Sequence, residues 1–333
     1  MMELEPLGDS GLMATKLGLG LAALGRPGYI NLLHAGDLEK NYDVEAMRQN
    51  AHAVLDKAYD SGVRYFDVAR SYGKAEEFLA SWLKARDIKP NEVTVASKWG
   101  YTYTADWKVQ ANTHEVKEHT LAILKKQWKE SKSILGDYIT IYQIHSATLD
   151  TGVLQNKDIL LELARMKKEE GIKIGVTVSG DNQAALIGKA INVRVDKVRL
   201  FDIIQATWNV LEQSASDALY AAHIAGLGVV IKEALANGRL TQKNTNPDFI
   251  LKLASLNVEA NRLETSVDAL AMAAVLSLNW VDVVLSGATN LEQMESNLGA
   301  TSVEWDYLAA AALSRMAEHP PKYWEMRSQL KWN

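Results

Sequence analysis

The chain has 333 residues, of which 47% are hydrophobic and 23% are charged, as is typical of a globular protein with a sizeable core. Its formal net charge of -5 at pH 7 argues against a surface that binds nucleic acid or an anionic membrane. The absence of cysteine excludes disulfides, thiolate metal sites and a cysteine nucleophile.

The beginning of the chain predicts a hairpin and not a targeting signal. Residues 2–15 contain the turn sequence Gly8-Asp-Ser-Gly11 and lack both a basic start and a long apolar run. The most apolar stretch of the chain, residues 267–278, is shorter than the roughly 20 residues that cross a bilayer. We therefore expect a cytoplasmic protein without a membrane partner, whose amino-terminal hairpin plugs one end of the fold.

Eight β-rich runs alternate with eight helical patterns, which indicates parallel β-α-β units. The expected strands are residues 16–21, 65–69, 93–98, 138–145, 173–179, 203–209, 229–233 and 281–287. The expected helices are residues 43–61, 75–86, 113–135, 157–170, 183–191, 214–225, 258–278 and 291–298, with Thr113 and Ser214 as helix N-caps. Eight such pairs fit a closed (β/α)8 barrel, the TIM-barrel fold.

The residues beyond the eight pairs fall in three places. They are the hairpin, a long first loop over residues 25–42 and a carboxy-terminal extension over residues 302–333. No Pro-, Gly- or Ser-rich linker divides the chain, so we expect a single domain over residues 1–333.

A rival fold is suggested by Gly18-Leu-Gly20-Leu-Ala-Ala23, which matches the G-x-G-x-x-A pattern of dinucleotide-binding Rossmann folds. In that fold a helix begins directly after the second glycine, so that its amides face the pyrophosphate. Here Pro27, Gly28 and a long irregular stretch follow instead, which argues against this alternative.

Four chemically distinctive side chains lie at the carboxyl ends of three consecutive expected strands. Asp67 ends the second strand, and Tyr72 lies in the turn after it. Lys98 and His145 end the third and fourth strands. Residues at these ends meet at one mouth of a barrel, and neighbouring strands lie about 5 Å apart. A phenol, an ammonium, a carboxylate and an imidazole can together protonate a carbonyl while a hydride arrives from elsewhere.

Over essentially its whole length the chain resembles the aldo-keto reductase superfamily, and within it the sugar-dehydrogenase and channel-β-subunit-like branches. The resemblance lies in the spacing of Asp67 and Tyr72, in Lys98, and in the motifs Gln-Ile-His145-Ser, Gln205-Ala-Thr-Trp-Asn209 and Gly287-Ala-Thr-Asn-Leu-Glu-Gln293-Met-Glu-Ser-Asn297. It implies an NAD(P)(H)-dependent oxidoreductase that interconverts a small-molecule carbonyl and its alcohol by hydride transfer without a metal.

The family pattern assigns a catalytic role to each of the four residues. Tyr72 is the general acid and base, and Lys98 lowers its pKa. Asp67 pairs with Lys98, and His145 hydrogen-bonds the carbonyl oxygen. Histidine in this position points to carbonyl chemistry and not to the reduction of carbon–carbon double bonds.

The resemblance also implies which residues bind the cofactor: Ser146, Thr177, Gln205, Trp208, Leu235, Gly238, Leu240, Gly287, Thr289, Gln293 and Asn297. Trp208 takes the place of the aromatic residue that stacks on the nicotinamide. The chain departs from the pattern at Val178, where asparagine is usual, and at Glu233, a carboxylate that Lys232 or Arg239 would have to neutralise. Thr289 stands where members committed to NADP often carry arginine or lysine, yet it can hydrogen-bond a phosphate. We expect a slight preference for NADP(H) over NAD(H).

The third expected loop concentrates aromatic side chains at the barrel mouth, namely Trp99, Tyr101, Tyr103 and Trp107. We expect them to form the substrate pocket, because aromatic walls suit sugars and aromatic aldehydes alike. The carboxy-terminal extension adds Tyr323, Trp324 and Trp332 as further candidates, with simple packing of this tail on the barrel as the alternative. The protein is expected to be a monomer or a small homo-oligomer.

Two other functions stay open from the sequence. A regulatory subunit that binds the cofactor with little turnover could share this fold, although the complete set of four residues argues against it. A barrel isomerase or lyase of phosphorylated substrates would need a catalytic carboxylate on a late strand, for which Glu233 is the candidate.

Overall fold

The computed structural model describes residues 2–333, and eight of its strands form a closed parallel barrel. Each strand pairs with the next in chain order, and the last pairs with the first. The strands are β1 (Leu17–Gly20), β2 (Tyr65–Asp67), β3 (Thr94–Trp99), β4 (Ile139–Ala147), β5 (Lys173–Val178), β6 (Ile203–Thr207), β7 (Gly228–Lys232) and β8 (Val283–Ser286). The expected (β/α)8 barrel is thereby confirmed. Gly18 and Gly20 of the rival motif lie within β1, and no helix follows them directly.

Helices cover the outside of the barrel, and the first and last of them also reach its mouth. They are α1 (His34–Asp37), α2 (Val44–Asp60), α3 (Ala75–Ala85), α4 (Leu121–Leu135), α5 (Lys157–Glu169), α6 (Gln183–Ile191), α7 (Ser216–Ile224), α8 (Ile250–Arg262), α9 (Val267–Leu276), α10 (Leu291–Gly299), α11 (Tyr307–Ser314) and α12 (Pro320–Ser328). Within residues 2–333, none of them combines the length and the apolar character that a membrane crossing requires.

Two expected helix starts are wrong. The helix expected over residues 113–135 begins at Leu121, where the Thr120 hydroxyl accepts a hydrogen bond from the Ile123 amide. Thr113 is not its cap, because residues 115–117 form a strand instead. The Ser214 hydroxyl bonds the Glu212 carboxylate and does not cap α7.

The apolar stretch expected as one helix over residues 258–278 belongs to two helices. Helix α8 begins earlier, at Ile250, and ends at Arg262. Ser266 then accepts a hydrogen bond from the Ala269 amide and begins α9. The break follows a local capping signal that the hydrophobic pattern alone does not reveal.

Three short hairpins lie outside the barrel sheet. The amino-terminal hairpin pairs Glu5–Pro6 with Met13–Ala14, and a second small hairpin pairs Arg194–Val195 with Val198–Arg199. The third, which we call the mouth hairpin, pairs Tyr101–Tyr103 with Glu115–Lys117 directly after β3.

The amino-terminal hairpin closes the end of the barrel at which the strands begin. Leu7 of its turn is fully buried and belongs to the apolar cluster inside the barrel, together with Tyr65 and Ile141. The amide of Asp9 donates to the carbonyl of Gly226, just before β7. This arrangement confirms the expected plug.

Substitution of Gly8 tests how closely the plug fits. Gly8 has a φ of +51°, and a Cβ on it would lie 2.5 Å from the backbone nitrogen of Gly228. Gly11 is the matched control, since its φ is +78° but a Cβ there would meet nothing within 4 Å. We expect Gly11→Ala to cost about 1–2 kcal/mol of unfolding free energy and Gly8→Ala clearly more, as measured by urea denaturation. Equal losses would show that the close approach to Gly228 is unimportant.

Candidate active site

A cavity of about 1300 Å³ opens at the carboxyl ends of the barrel strands. Its walls come from the first loop, the mouth hairpin, the ends of β4 and β5, the loop after β7, the start of α10 and the carboxy-terminal residues. Typical small-molecule sites occupy roughly 300–1,000 Å³. The cavity therefore has room for a large ligand together with a small one.

Asp67 and Lys98 form a buried ion pair at the bottom of this cavity. Both residues are almost fully buried, at 2% and 1% exposure, and the Lys98 Nζ bonds the Asp67 carboxylate directly. The same Nζ donates to the carbonyl oxygen of Val68 over 3.0 Å. The second carboxylate oxygen of Asp67 accepts a 2.8 Å hydrogen bond from the Gln205 amide and a 3.5 Å bond from that of Gln143. Side chains from β3, β4 and β6 thus hold the carboxylate from three sides.

Tyr72 lies between this ion pair and His145. The Lys98 Nζ is 4.7 Å from the centroid of the Tyr72 ring. The Tyr72 hydroxyl is 3.4 Å from His145 Nε2, and the two rings meet edge to face with centroids 5.4 Å apart. The structure therefore brings together all four side chains that the sequence places on strand ends.

Burial dominates the protonation of these groups. It raises the pKa of the Tyr72 phenol well above its usual range, Asp67 adds to the rise, and Arg26 opposes it. The expectation that the pKa of Tyr72 is lowered is therefore wrong for the protein without ligands. Burial, together with the charge of Lys98, lowers the pKa of the His145 imidazole well below its usual range. Near neutral pH the site therefore presents a protonated phenol beside a neutral imidazole.

Arg26 of the first loop is a site residue that the sequence reasoning missed. It is 2% exposed and donates to the carboxylate of Glu115 on the mouth hairpin over 2.8 Å. Its guanidinium carbon lies 5.2 Å from the centroid of the Tyr72 ring and 4.7 Å from that of Trp332. Arg26 therefore places a fixed positive charge beside the phenol and joins the first loop to the chain end.

Comparisons with known proteins agree with this geometry. A sequence model of the aldo/keto reductase family matches residues 16–317. The chain belongs to this family of oxidoreductases. It is 24% identical to the NADH-specific methylglyoxal reductase of Escherichia coli K12, across 95% of this chain and 99% of that protein. It is 25% identical to the L-glyceraldehyde 3-phosphate reductase of the same strain, across 90% of this chain and 87% of that protein.

A solved structure shares the fold at low sequence identity. The aldo-keto reductase AKR11C1 from Bacillus halodurans, in its holo form, matches with a TM-score of 0.73 and 21% identity. The match covers 96% of this chain and 97% of that one.

Most of the positions that the aldo/keto reductase pattern assigns to the cofactor line the cavity. These are Ser146, Thr177, Gln205, Leu235, Gly238, Gly287, Gln293 and Asn297. Some of their polar atoms already have partners within the protein. The Thr177 hydroxyl accepts from the amide of Ser146, and the Gln293 side chain accepts from the amide and the hydroxyl of Thr289.

Trp208, Leu240 and Thr289, also expected to bind the cofactor, do not line the cavity. The Trp208 indole donates to Ser216 and packs against Trp280 in the layer between barrel and helices. Leu240 is fully buried in a separate apolar cluster, and Thr289 is fully buried beside Gln293. The stacking role expected of Trp208 has no support in this arrangement.

Glu233 is neutralised by a residue that the sequence did not suggest. Arg327 of α12 donates two hydrogen bonds to its carboxylate, and the Lys232 Nζ lies 3.8 Å away. Burial opposes the ionisation of Glu233, but Arg327 and Lys232 outweigh it and lower the pKa to about 2. Arg239, the other expected partner, bonds Glu318 instead.

Of the four aromatic residues expected in the substrate pocket, Tyr101 lines the cavity, with its ring centroid 4.8 Å from that of His145. Trp99, Tyr103 and Trp107 lie outside the cavity lining, so the structure does not support them as pocket residues. Lys98 points into the barrel, so the next residue along the strand, Trp99, points outward and packs on His119. The Trp107 indole donates to the backbone carbonyl of Tyr42 behind the hairpin.

Proposed function

We propose that this chain interconverts a small carbonyl compound and its alcohol by hydride transfer with a nicotinamide dinucleotide. The observation that supports it best is the position of the Tyr72 hydroxyl, 3.4 Å from His145 Nε2 and above the buried Asp67–Lys98 pair. A phenol and an imidazole that meet at one point can both reach a single carbonyl oxygen.

The proposed steps use the side chains as follows. His145, which its low pKa keeps neutral, donates a hydrogen bond to the carbonyl oxygen and orients it. Tyr72 gives its proton to the same oxygen as negative charge develops there. Lys98, with its Nζ 4.7 Å from the ring centroid, stabilises the phenolate that is left. When bound, the nicotinamide supplies or accepts the hydride. Because burial favours the protonated phenol, Tyr72 is near neutral pH in the form that carbonyl reduction needs.

The cavity wall suits a dinucleotide. The side-chain amide of Asn297 donates to Ser286, while its buried carbonyl oxygen has no partner among the described residues and can accept a hydrogen bond. The start of α10, at Leu291, also lines the cavity, and the first amides of a helix attract phosphate groups. Gly287, just before this helix, leaves space for a close approach, since a Cβ there would meet nothing within 4 Å.

The choice between NAD(H) and NADP(H) depends on the charges near α10. Glu292 lines the cavity beside Gln293, and Asp268 lines it from the start of the neighbouring helix α9. Neither helix carries a lysine or an arginine. Carboxylates repel a 2′-phosphate and accept hydrogen bonds from a 2′-hydroxyl. These charges favour NAD(H), in contrast to the slight preference for NADP(H) expected from the sequence.

A paired titration tests the cofactor proposal. Nine tryptophans make intrinsic fluorescence a convenient signal, and NADH and NADPH are added to separate samples of the same protein. We expect both to quench the fluorescence, with the lower Kd for NADH. The Glu292→Gln variant should bring the Kd values of NADH and NADPH closer together. Absence of quenching by either cofactor would contradict the proposed function, and tighter NADPH binding would restore the preference expected from the sequence.

The second candidate function is a cofactor-binding regulatory subunit with little turnover. One observation favours it: the raised pKa of Tyr72 leaves little phenolate at neutral pH to act as the base in alcohol oxidation. Steady-state reduction of a panel of aldehydes, with cofactor binding already established, separates the two functions. Tight binding without turnover of any aldehyde or alcohol would favour the regulatory function.

A further inference from the structure

The mouth hairpin carries two charged side chains toward the cavity. Glu115 and Lys117 lie two residues apart on one strand, so their side chains leave the same face, and both line the cavity. Val116 between them is 46% exposed on the opposite face. The hairpin thus offers one anion and one cation to whatever occupies the mouth of the barrel.

The two charges differ in whether the protein neutralises them. The Glu115 carboxylate is bound by the buried Arg26 guanidinium, whereas the Lys117 ammonium has no carboxylate within 4 Å among the described residues. Every other lysine or arginine of the cavity lining has an acidic partner within that distance: Arg26, Lys232, Lys243 and Arg327. Among the described residues that line this cavity, Lys117 is therefore the cation without a salt-bridge partner.

The surroundings of Lys117 compensate the charge of its ammonium group only in part. Its Nζ donates one hydrogen bond, to the carbonyl oxygen of Ser146 over 3.0 Å, and an ammonium has three N–H groups to donate. Burial lowers the pKa of this ammonium, which means that part of its hydration is lost, and the charge of Asp150 opposes this without outweighing it. An anionic ligand would supply the counter-charge and the hydrogen-bond acceptors that the protein does not.

Lys117 lies next to the proposed reacting centre. It is the cross-strand partner of Tyr101, and its Nζ is 5.3 Å from the centroid of that ring. The Tyr101 ring also approaches the His145 ring, with centroids 4.8 Å apart, and Ser146, the acceptor of Lys117, directly follows His145. An anionic group held by Lys117 would therefore belong to the molecule whose carbonyl lies at His145.

We propose that Lys117 is a substrate-binding residue that selects carbonyl compounds bearing an anionic group, a carboxylate or a phosphate. This inference rests on the proposed function, because it names the substrate class of the same site. A hydrogen bond to a charged group is worth enough to change kcat/KM by about 10- to 100-fold. The structural alternative is that Lys117 only ties the hairpin to Ser146.

The test compares two matched pairs of substrates. 4-Carboxybenzaldehyde is paired with the neutral 4-formylbenzamide, and glyceraldehyde 3-phosphate with glyceraldehyde, each with the cofactor that binds more tightly. For the wild-type protein we expect kcat/KM at least about tenfold higher for the anionic member of one pair, mainly through KM. The pair that shows this preference identifies the anion.

Three variants assign the preference to the charge. Lys117→Gln keeps a donor for the Ser146 carbonyl but loses the charge, so the ratio of anionic to neutral kcat/KM should fall to about 1. Lys117→Arg should keep most of the ratio. Lys108→Gln is the control, because Lys108 is exposed, lies in the same loop and does not line the cavity. It should keep the full ratio.

The outcomes separate this inference from the proposed function. Turnover of the neutral members alone supports the proposed function, and a wild-type ratio near 1 in both pairs then overturns the role of Lys117. A Lys117→Gln variant that loses anionic and neutral activity equally assigns Lys117 a structural role and also overturns it. Absence of turnover with all four compounds, despite cofactor binding, contradicts the proposed function itself and the inference with it.

Discussion

Tyr72→Phe is expected to reduce steady-state carbonyl reduction by about 100- to 10,000-fold and to leave cofactor binding intact. The substitution removes the hydroxyl that meets His145 Nε2 and keeps the ring that packs against Lys98 and Arg26. The fold should therefore survive. Turnover is measured from cofactor absorbance, binding from tryptophan quenching, and stability from the urea midpoint.

Tyr138→Phe is the matched control for this experiment. Its hydroxyl donates to the carbonyl of Ile88, and Tyr138 precedes β4 at the end of the barrel away from the cavity. This variant should keep its turnover and lose at most a little stability, about 1 kcal/mol for one hydrogen bond. Turnover by Tyr72→Phe at the level of Tyr138→Phe would remove Tyr72 from the proposed mechanism.

The clustering of Asp67, Lys98 and His145 could be predicted because each lies at or near the end of a barrel strand, whereas Tyr72 lies in the turn that follows β2. Asp67, Lys98 and His145 lie at or near the carboxyl ends of β2, β3 and β4, and parallel strands of a barrel open at one mouth. The placement of these three residues requires no knowledge of loop conformation. The strand order of the barrel, which also follows from alternation along the chain, brings them into contact.

The position of Trp208 outside the barrel could have been predicted from the alternation of side chains along a strand. Gln205 points into the barrel, where it bonds Asp67, and Trp208 is three positions later in the same extended run. An odd separation places the two side chains on opposite faces of a strand. Trp208 therefore packs under α7, where its indole meets Ser216.

Two ion pairs of the cavity could not have been predicted from local patterns. Arg26 and Glu115 are 89 residues apart, and Glu233 and Arg327 are 94 apart. In each pair at least one partner lies in an irregular loop or in the carboxy-terminal extension, where no periodicity reports the direction of a side chain. Such pairs depend on how the loops fold over the barrel, which the sequence pattern does not determine.

Lys98→Met is expected to abolish turnover and to destabilise the protein by about 3–5 kcal/mol, because it leaves the Asp67 carboxylate buried without its counter-charge. Gln143 and Gln205 would still donate to that carboxylate, but neither carries a charge. The urea midpoint measures the loss of stability. A single variant cannot separate this loss from a catalytic role of the ammonium.

The double variant Asp67→Asn/Lys98→Met makes that separation. Because both charges are removed, much of the stability should return, as is usual when both members of a buried pair are replaced. Turnover should stay low, since the Tyr72 ring then has no ammonium 4.7 Å from its centroid to stabilise the phenolate. Recovery of wild-type turnover together with stability would mean that the ion pair serves the fold alone.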